Sequence, residues 1–386
     1  MNQVTNQVFF SLLRSAVCGT LLSGSEKAQF SDEQMPDMIK TAKKHDVDHL
    51  LAYGIKKNGL ISNGYTAIEK SVLKAIYRYE KLNSEYENIC ELFETEGIVF
   101  MPLKGSVLRK YYPEEWMRTS CDIDILVSEN DIEKAADLLV NKLEYVYNIK
   151  SSHDISLFSP SKIHVELHYN LIEDGLINES YSVLKKVWET ARVRDGYSYW
   201  YEMYDEMFYF YHIAHMAKHF ENGGCGIRPF IDLWILDNIE DKDTLKRNEL
   251  LNQGQLLKFA DAARKLSRKW FENGETDIIS EQMESYILCG GVYGTADNRI
   301  TVQQQKMGGS FKYALSKIFI PYDVIKFYYP ILQKHRWLTP VMEVRRWFKL
   351  VFCGHAKRTV NELRYNREIS TNKAETAKTF LSSIGL

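Results

Sequence analysis

The hexapeptide Asp122-Ile123-Asp124-Ile125-Leu126-Val127 constrains this 386-residue chain more than any other stretch. It alternates polar and apolar before turning fully apolar, which is how an internal strand with one functional end reads. The period of two puts both carboxylates on one face, their Cα atoms about 6.5–7 Å apart. Ile123, Ile125 and Val127 then face a core. Two carboxylates aimed at one point repel each other unless a cation or a proton lies between them. Ligation by oxygen alone favours a hard divalent ion, Mg²⁺ or Mn²⁺. An exposed strand with two solvated aspartates has the same pattern, so the meaning of the pair depends on its neighbours.

Those neighbours are informative. Upstream, Ile98 to Leu103 reads as a buried strand, and Lys104-Gly105-Ser106 follows directly before a short helical stretch from Val107 to Tyr111. A strand ending in Gly-Ser at a helix start offers backbone N–H groups and a hydroxyl to a phosphate, with Lys104 adding charge. The same dipeptide also serves as a plain helix cap. Downstream, Lys162 to Tyr169 alternates cleanly, with His164, Glu166 and His168 on one face and Ile163, Val165, Leu167 and Tyr169 on the other. Glu166 is thus a third acid on a strand.

Gly105-Ser106, then Asp122-x-Asp124, then a lone acid on a later strand resembles the signature of the DNA polymerase beta-like nucleotidyltransferase superfamily. LKGSVLRKYYP, Arg118 before DIDILV, and VELHYNL resemble, more narrowly, a bacterial family of uncharacterised nucleotidyltransferases. HIAHMAKHF, the following IRPFIDL, and FIPYDVIKFYYPILQKHRWLTPVMEVRRWFK near the end share that likeness. Sixteen residues separate Gly105 from Asp122, more than in the better-known members.

The resemblance implies metal-dependent transfer of a nucleoside monophosphate from an NTP to an acceptor, with release of pyrophosphate. Asp122 and Asp124 would hold Mg²⁺ (or Mn²⁺), and Glu166 would complete the metal set or take the proton. Lys104, Gly105, Ser106 and Arg118 would bind the nucleotide. The acceptor, a hydroxyl of a small molecule, RNA or protein, stays open, as does the base. A catalytically silent module that senses a nucleotide or holds a partner is the alternative. A zinc-dependent hydrolase built on His164/His168 or His212/His215 is a further reading.

A chain of this length suggests two or three domains. The pattern divides it into an N-terminal helical region (1–92), a nucleotidyltransferase-like core (93–195) and a C-terminal helical region (196–386). In the first region, helices are expected over 3–18, from Ser31 to Lys44, over Val47–Asn58 and over Thr66–Glu94. In the core, Ser128 is expected to cap a helix from Glu129 to Lys142, followed by strands at Tyr145–Ile149, Ile155–Phe158 and Ile163–Tyr169. That order fits an α+β class, a small mixed β-sheet with helices on one face.

The C-terminal region is helical and aromatic. His212, His215 and His219 share one helical face; His212 and His215 could both reach a zinc ion, with Asp232 a candidate third ligand. Arg228 and Asp232, four apart, read as an intrahelical pair. Gly290–Gly294 reads as a flexible loop, and Thr295 to Gln305 as polar enough to be mobile. Trp337, Trp347, Phe348 and Arg345-Arg346 read as core plus a solvated face, or as a clamp for an acceptor or base. From Thr301 onward 15 Lys and Arg face 5 Asp and Glu, within a net charge of −2, an asymmetry that suits a polyanion or simply balances an acidic body.

Six cysteines without CxxC spacing imply reduced thiols and a cytoplasmic protein. Neither a basic-then-apolar leader nor an apolar run of membrane-spanning length is present.

Overall fold

The computed structural model describes residues 1–171, 178–272, 274–292, 294–352, 364 and 371–386; Cys353 falls outside them. The chain opens with α1 (Gln3–Cys18), α2 (Gly24–Ala28), α3 (Met35–Lys44), α4 (Asp48–Lys57) and α5 (Ser71–Thr95). Local chemistry sets their ends. Asn2 accepts from the Thr5 N–H at 2.8 Å to start α1, and Lys43 and Lys44 sit at the electronegative end of α3.

The sheet follows, interleaved with helices: β1 (Phe100–Pro102), α6 (Lys104–Leu108), β2 (Asp122–Val127), α7 (Ile132–Leu143), β3 (Val146–Lys150), β4 (Asp154–Phe158) and β5 (His164–His168). The spatial order is β1-β2-β5-β4-β3. Strands β2 and β5 are parallel, while the other pairings are antiparallel. The fold is α+β, a small mixed sheet flanked by helices on the N- and C-terminal sides.

Period two divides β2 as its sequence requires. Ile123, Ile125 and Val127 join Val165, Leu167, Phe93 of α5 and Leu139 of α7 in one core. Leu126, on the face of the two aspartates, joins Met101 and Leu103 in a second core. That core unites the N-terminal helices with those that follow the sheet. Helices therefore cover both faces of the β1–β2 edge, not one, because Leu126, Met101 and Leu103 carry apolar surface to the second face as well.

After the sheet come α8 (Asn178–Leu184) and an antiparallel ribbon of β6 (Ala191–Val193) and β7 (Tyr201–Met203). Then follow α9 (Asp205–Glu221), α10 (Arg228–Asp237), α11 (Thr244–Gln253), α12 (Leu257–Glu272), α13 (Ile278–Cys289) and α14 (Ala296–Met307). Phe10 of α1 stacks on Trp270 of α12 with ring centroids 4.2 Å apart, so the beginning of the chain is buried against its second half.

Two local expectations change. Helix α7 begins at Ile132 with Asp131 at its N-cap, after a turn in which the Asp131 N–H donates to the Ser128 carbonyl at 2.9 Å. The polar stretch after Thr295 forms α14, with Ile300, Thr301, Val302 and Gln304 buried. Among the described residues no helix is long and apolar enough to cross a membrane.

Candidate functional site

The parallel pairing of β2 with β5 sets Asp124 directly opposite Glu166 and Asp122 opposite His164. Both strands turn these residues to the same face. Asp124 is 4 % exposed, and its Oδ1 accepts from Lys104 Nζ at 2.8 Å and pairs with His168 Nε2 at 2.9 Å. His168 Nε2 also lies 3.4 Å from Glu166 Oε2. Ligand atoms of Asp124, Glu166 and His168 all lie within 4.8 Å of one another. Asp122, one repeat earlier, lines the same cavity but stands outside that group.

The long interval between Gly105 and Asp122 does not separate them. Strand β1 runs antiparallel to β2, and the Leu103 N–H donates to the Asp124 carbonyl at 3.0 Å. The next residue, Lys104, is thereby delivered to the Asp124 carboxylate. Its backbone adopts φ 45°, a left-handed conformation that costs a non-glycine residue about 1–3 kcal/mol.

Asp122, Asp124, Glu166, Lys104 and Gly105 line one side of a cavity of about 320 Å³, with Tyr211, His215, Lys218 and His219 of α9 opposite. Gly105 has no room for a side chain, since a Cβ there would fall 2.2 Å from Ser120 Oγ. Ser106 turns the other way, lining a separate cleft of about 740 Å³ with the β6–β7 ribbon and the end of α10. Arg118 lines the acid cavity, held by Nε to Asp232 Oδ1 at 2.6 Å and by a terminal nitrogen to the Thr119 carbonyl at 2.7 Å. Tyr112 donates to the same Asp232 oxygen at 2.7 Å. Arg228 donates to Asp46 Oδ2 at 3.0 Å. Arg228 and Asp232 thus each engage a different element instead of each other, because both point inward from the start of α10.

Charge differs across the cavity. Burial alone would raise Asp124, yet Lys104 and His168 hold its carboxyl well below the usual carboxylate range. Asp122 is pushed up by burial and by the Asp124 charge. Burial works against protonation of Lys104 and His168, but Asp124 raises both above their ordinary values, with Glu166 adding to His168. On α9, burial lowers His215 well below its ordinary value and takes His219 to about 4 and Lys218 to about 8.

His212 Nε2 meets the Pro229 carbonyl at 3.0 Å, and His164 Nε2 meets Ser156 Oγ at 2.7 Å. Among the described residues, the group with metal-ligand spacing is Asp124, Glu166 and His168; the α9 histidines form none. Two carboxylates and an imidazole suit a divalent ion on the hard side of borderline, provided Lys104 yields the oxygen it holds. The alternation of β5 placed His168 on the face of Glu166, but its partner Asp124 lies forty-four residues earlier and is invisible to local pattern. Lys218, Arg228 and Asp232 lie within HIAHMAKHF and IRPFIDL, but nothing in those stretches alone placed them on this cavity.

No curated protein and no solved structure matches the chain. The family model for uncharacterised nucleotidyltransferases matches residues 31–272. That stretch runs from the approach to α3 through α12 and contains the acids, Lys104, Gly105, Ser106 and Arg118; the segment beginning at Phe319 lies beyond it. With well over half of its length matched, and with the acids on adjoining strands, the chain belongs to the uncharacterised nucleotidyltransferase family.

Proposed function

We propose that the cavity carries out metal-dependent transfer of a nucleoside monophosphate from an NTP to an acceptor, releasing pyrophosphate. The observation that supports it most is the in-register pairing of Asp124 with Glu166, which sets two strand carboxylates beside Lys104 in one enclosed space. Charge supports it as well. The lining holds four acids (Asp122, Asp124, Glu166, Asp232) and four bases (Lys104, Arg118, Lys218, Arg228). Being balanced, it accepts a polyanion that arrives with its divalent ions.

In this reading Asp122, Asp124 and Glu166 hold Mg²⁺ or Mn²⁺; bound there, the ions screen the triphosphate and lower the pKa of the attacking hydroxyl. Glu166, only half-buried, is the acid best placed to take the proton. His168 fixes the orientation of Asp124. Lys104, once released from Asp124, meets the negative charge of the triphosphate, and Arg118 binds the nucleotide beyond it. Gly105 keeps the turn thin against the ligand. Ser106 stands at the border with the larger cleft, which we assign to the acceptor.

The test is pyrophosphate release with Mg²⁺, each NTP in turn and cell extract as the acceptor source. Asp124→Ala should abolish the signal. Glu166→Gln should lower turnover by about 10²–10⁴-fold, the scale of a lost general base, while NTP still binds. Equal release from wild type and Asp124→Ala would favour a silent nucleotide-sensing module instead.

A further inference from the structure

The cavity has a second half that the transfer chemistry does not use. It is built by Arg118, Arg228, Asp232 and His45, with Gly226 beside them. We propose that this half is the nucleobase subsite and that it selects guanine, an assignment that rests on the nucleotidyl-transfer reading above.

Electrostatics argues against a phosphate here. Arg118 is paired with Asp232 at 2.6 Å and Arg228 with Asp46 at 3.0 Å, so each guanidinium already faces a carboxylate, the second of which Arg78 shares at 3.4 Å. What they bring is fixed hydrogen-bonding edges. Nδ1 and Nε2 of His45 and Oδ2 of Asp232 are buried without a partner, and both residues line the cavity. His45 is 0 % exposed and Asp232 1 % exposed. Orphaned polar atoms of this kind are costly in a folded protein and mark a place where a ligand completes the hydrogen bonding. Gly226 packs directly against His45, where a Cβ would stand 3.4 Å from its Nδ1.

The ligand must therefore be uncharged and must carry both donors and acceptors. A phosphate offers acceptors and would face Asp232 Oδ2 with like charge. A base satisfies both demands, and guanine does so best. Its O6/N7 edge is the preferred partner of a guanidinium, and its N1–H and N2–H edge gives protons to a carboxylate oxygen. Adenine has no carbonyl for the arginines.

Equilibrium binding of GTP, ITP, ATP, CTP and UTP to the full chain with Mg²⁺ tests this by calorimetry. GTP should bind at least about tenfold more tightly than ATP, CTP or UTP, the discrimination expected of one good arginine–guanine contact. ITP, which lacks the 2-amino group, should fall between. Arg228→Met should erase the preference for GTP over ATP, an expectation that follows from the same base-specific contact. Asp46 keeps Arg78 as a partner at 3.4 Å in that variant. His45→Gln, which breaks no hydrogen bond, should weaken GTP selectively and provides the second arm. Equal binding of all five nucleotides, or an equal loss for all five in Arg228→Met, overturns the guanine subsite and leaves nucleotidyl transfer standing. Failure of every NTP to bind overturns both.

Discussion

The two walls of the acid cavity use the same residue type in opposite ways. On the strand wall His168 sits against Asp124 and Glu166 and is raised. On the helix wall His215 and His219 sit in a buried face beside Lys218 and are lowered. Residue identity did not decide this: burial disfavours the imidazolium on both walls, and only on the strand wall do acids, Asp124 and Glu166, outweigh it. A strand wall held by charge and a helix wall whose histidines burial keeps neutral should respond differently when either is disturbed.

The largest difference is expected on removing the charge at the centre of the strand wall. Asp124→Ala would leave Lys104 and His168 buried beside no acid at this position. The loss of one partner from such a buried cluster costs about 3–5 kcal/mol, readable by chemical denaturation. Lys218→Met across the cavity should leave stability unchanged or raise it, since burial already disfavours that charge. Similar losses in the two variants would erase the distinction between the walls.

A middle-sized effect is expected where the turn meets the strand wall. A methyl at Gly105 has to displace Ser120, so Gly105→Ala should cost about 1–3 kcal/mol, the range for overpacking. Adding Ser120→Ala should recover most of it. No recovery in the double variant would point to backbone strain in place of crowding.

The smallest effect, and the one that separates the walls by sign, is pH dependence. His219 has a folded value of about 4 against an ordinary 6.5. As the pH falls through that interval the unfolded chain takes up a proton that the folded chain refuses, and stability drops. His219→Gln should make this acid decline in melting temperature shallower. His168 is raised, so its contribution is complete below pH 6.5 and is lost as the pH climbs through its folded value. His168→Gln should therefore cost more stability at pH 6 than at pH 9. Parallel curves for the two variants would contradict the comparison.

Much of this was legible in the chain. The strands at Asp122–Val127 and Ile163–Tyr169 show their faces through a period of two, and three acids on that face follow directly. The superfamily likeness rests on those acids and Gly105-Ser106, and the narrower family likeness on longer stretches such as LKGSVLRKYYP and VELHYNL. What local pattern could not give was the partner across space. His168 reads as one of a set of histidines until β2 is laid parallel to β5. Arg118 finds Asp232 on α10, over a hundred residues away, and Arg228 finds Asp46 at the end of α3. Ser106 shares a motif with Gly105, yet adjacent residues on a tight turn point to different sides, and its hydroxyl borders the larger cleft. The stretch after Thr295 looked too polar to fold, because burial of Thr301 and Gln304 depends on neighbours supplied by other helices.

Lys104, held at φ 45° against the Asp124 carboxylate, has a consequence for the order of events in a cell. A nest of acids ordinarily cannot close until an ion from solution arrives to reconcile them. Here the polypeptide supplies its own ammonium group, so Asp124 has a counter-charge within the chain itself. If the proposed transfer holds, a divalent ion entering this site would meet an incumbent, and its arrival would free a lysine for the nucleotide.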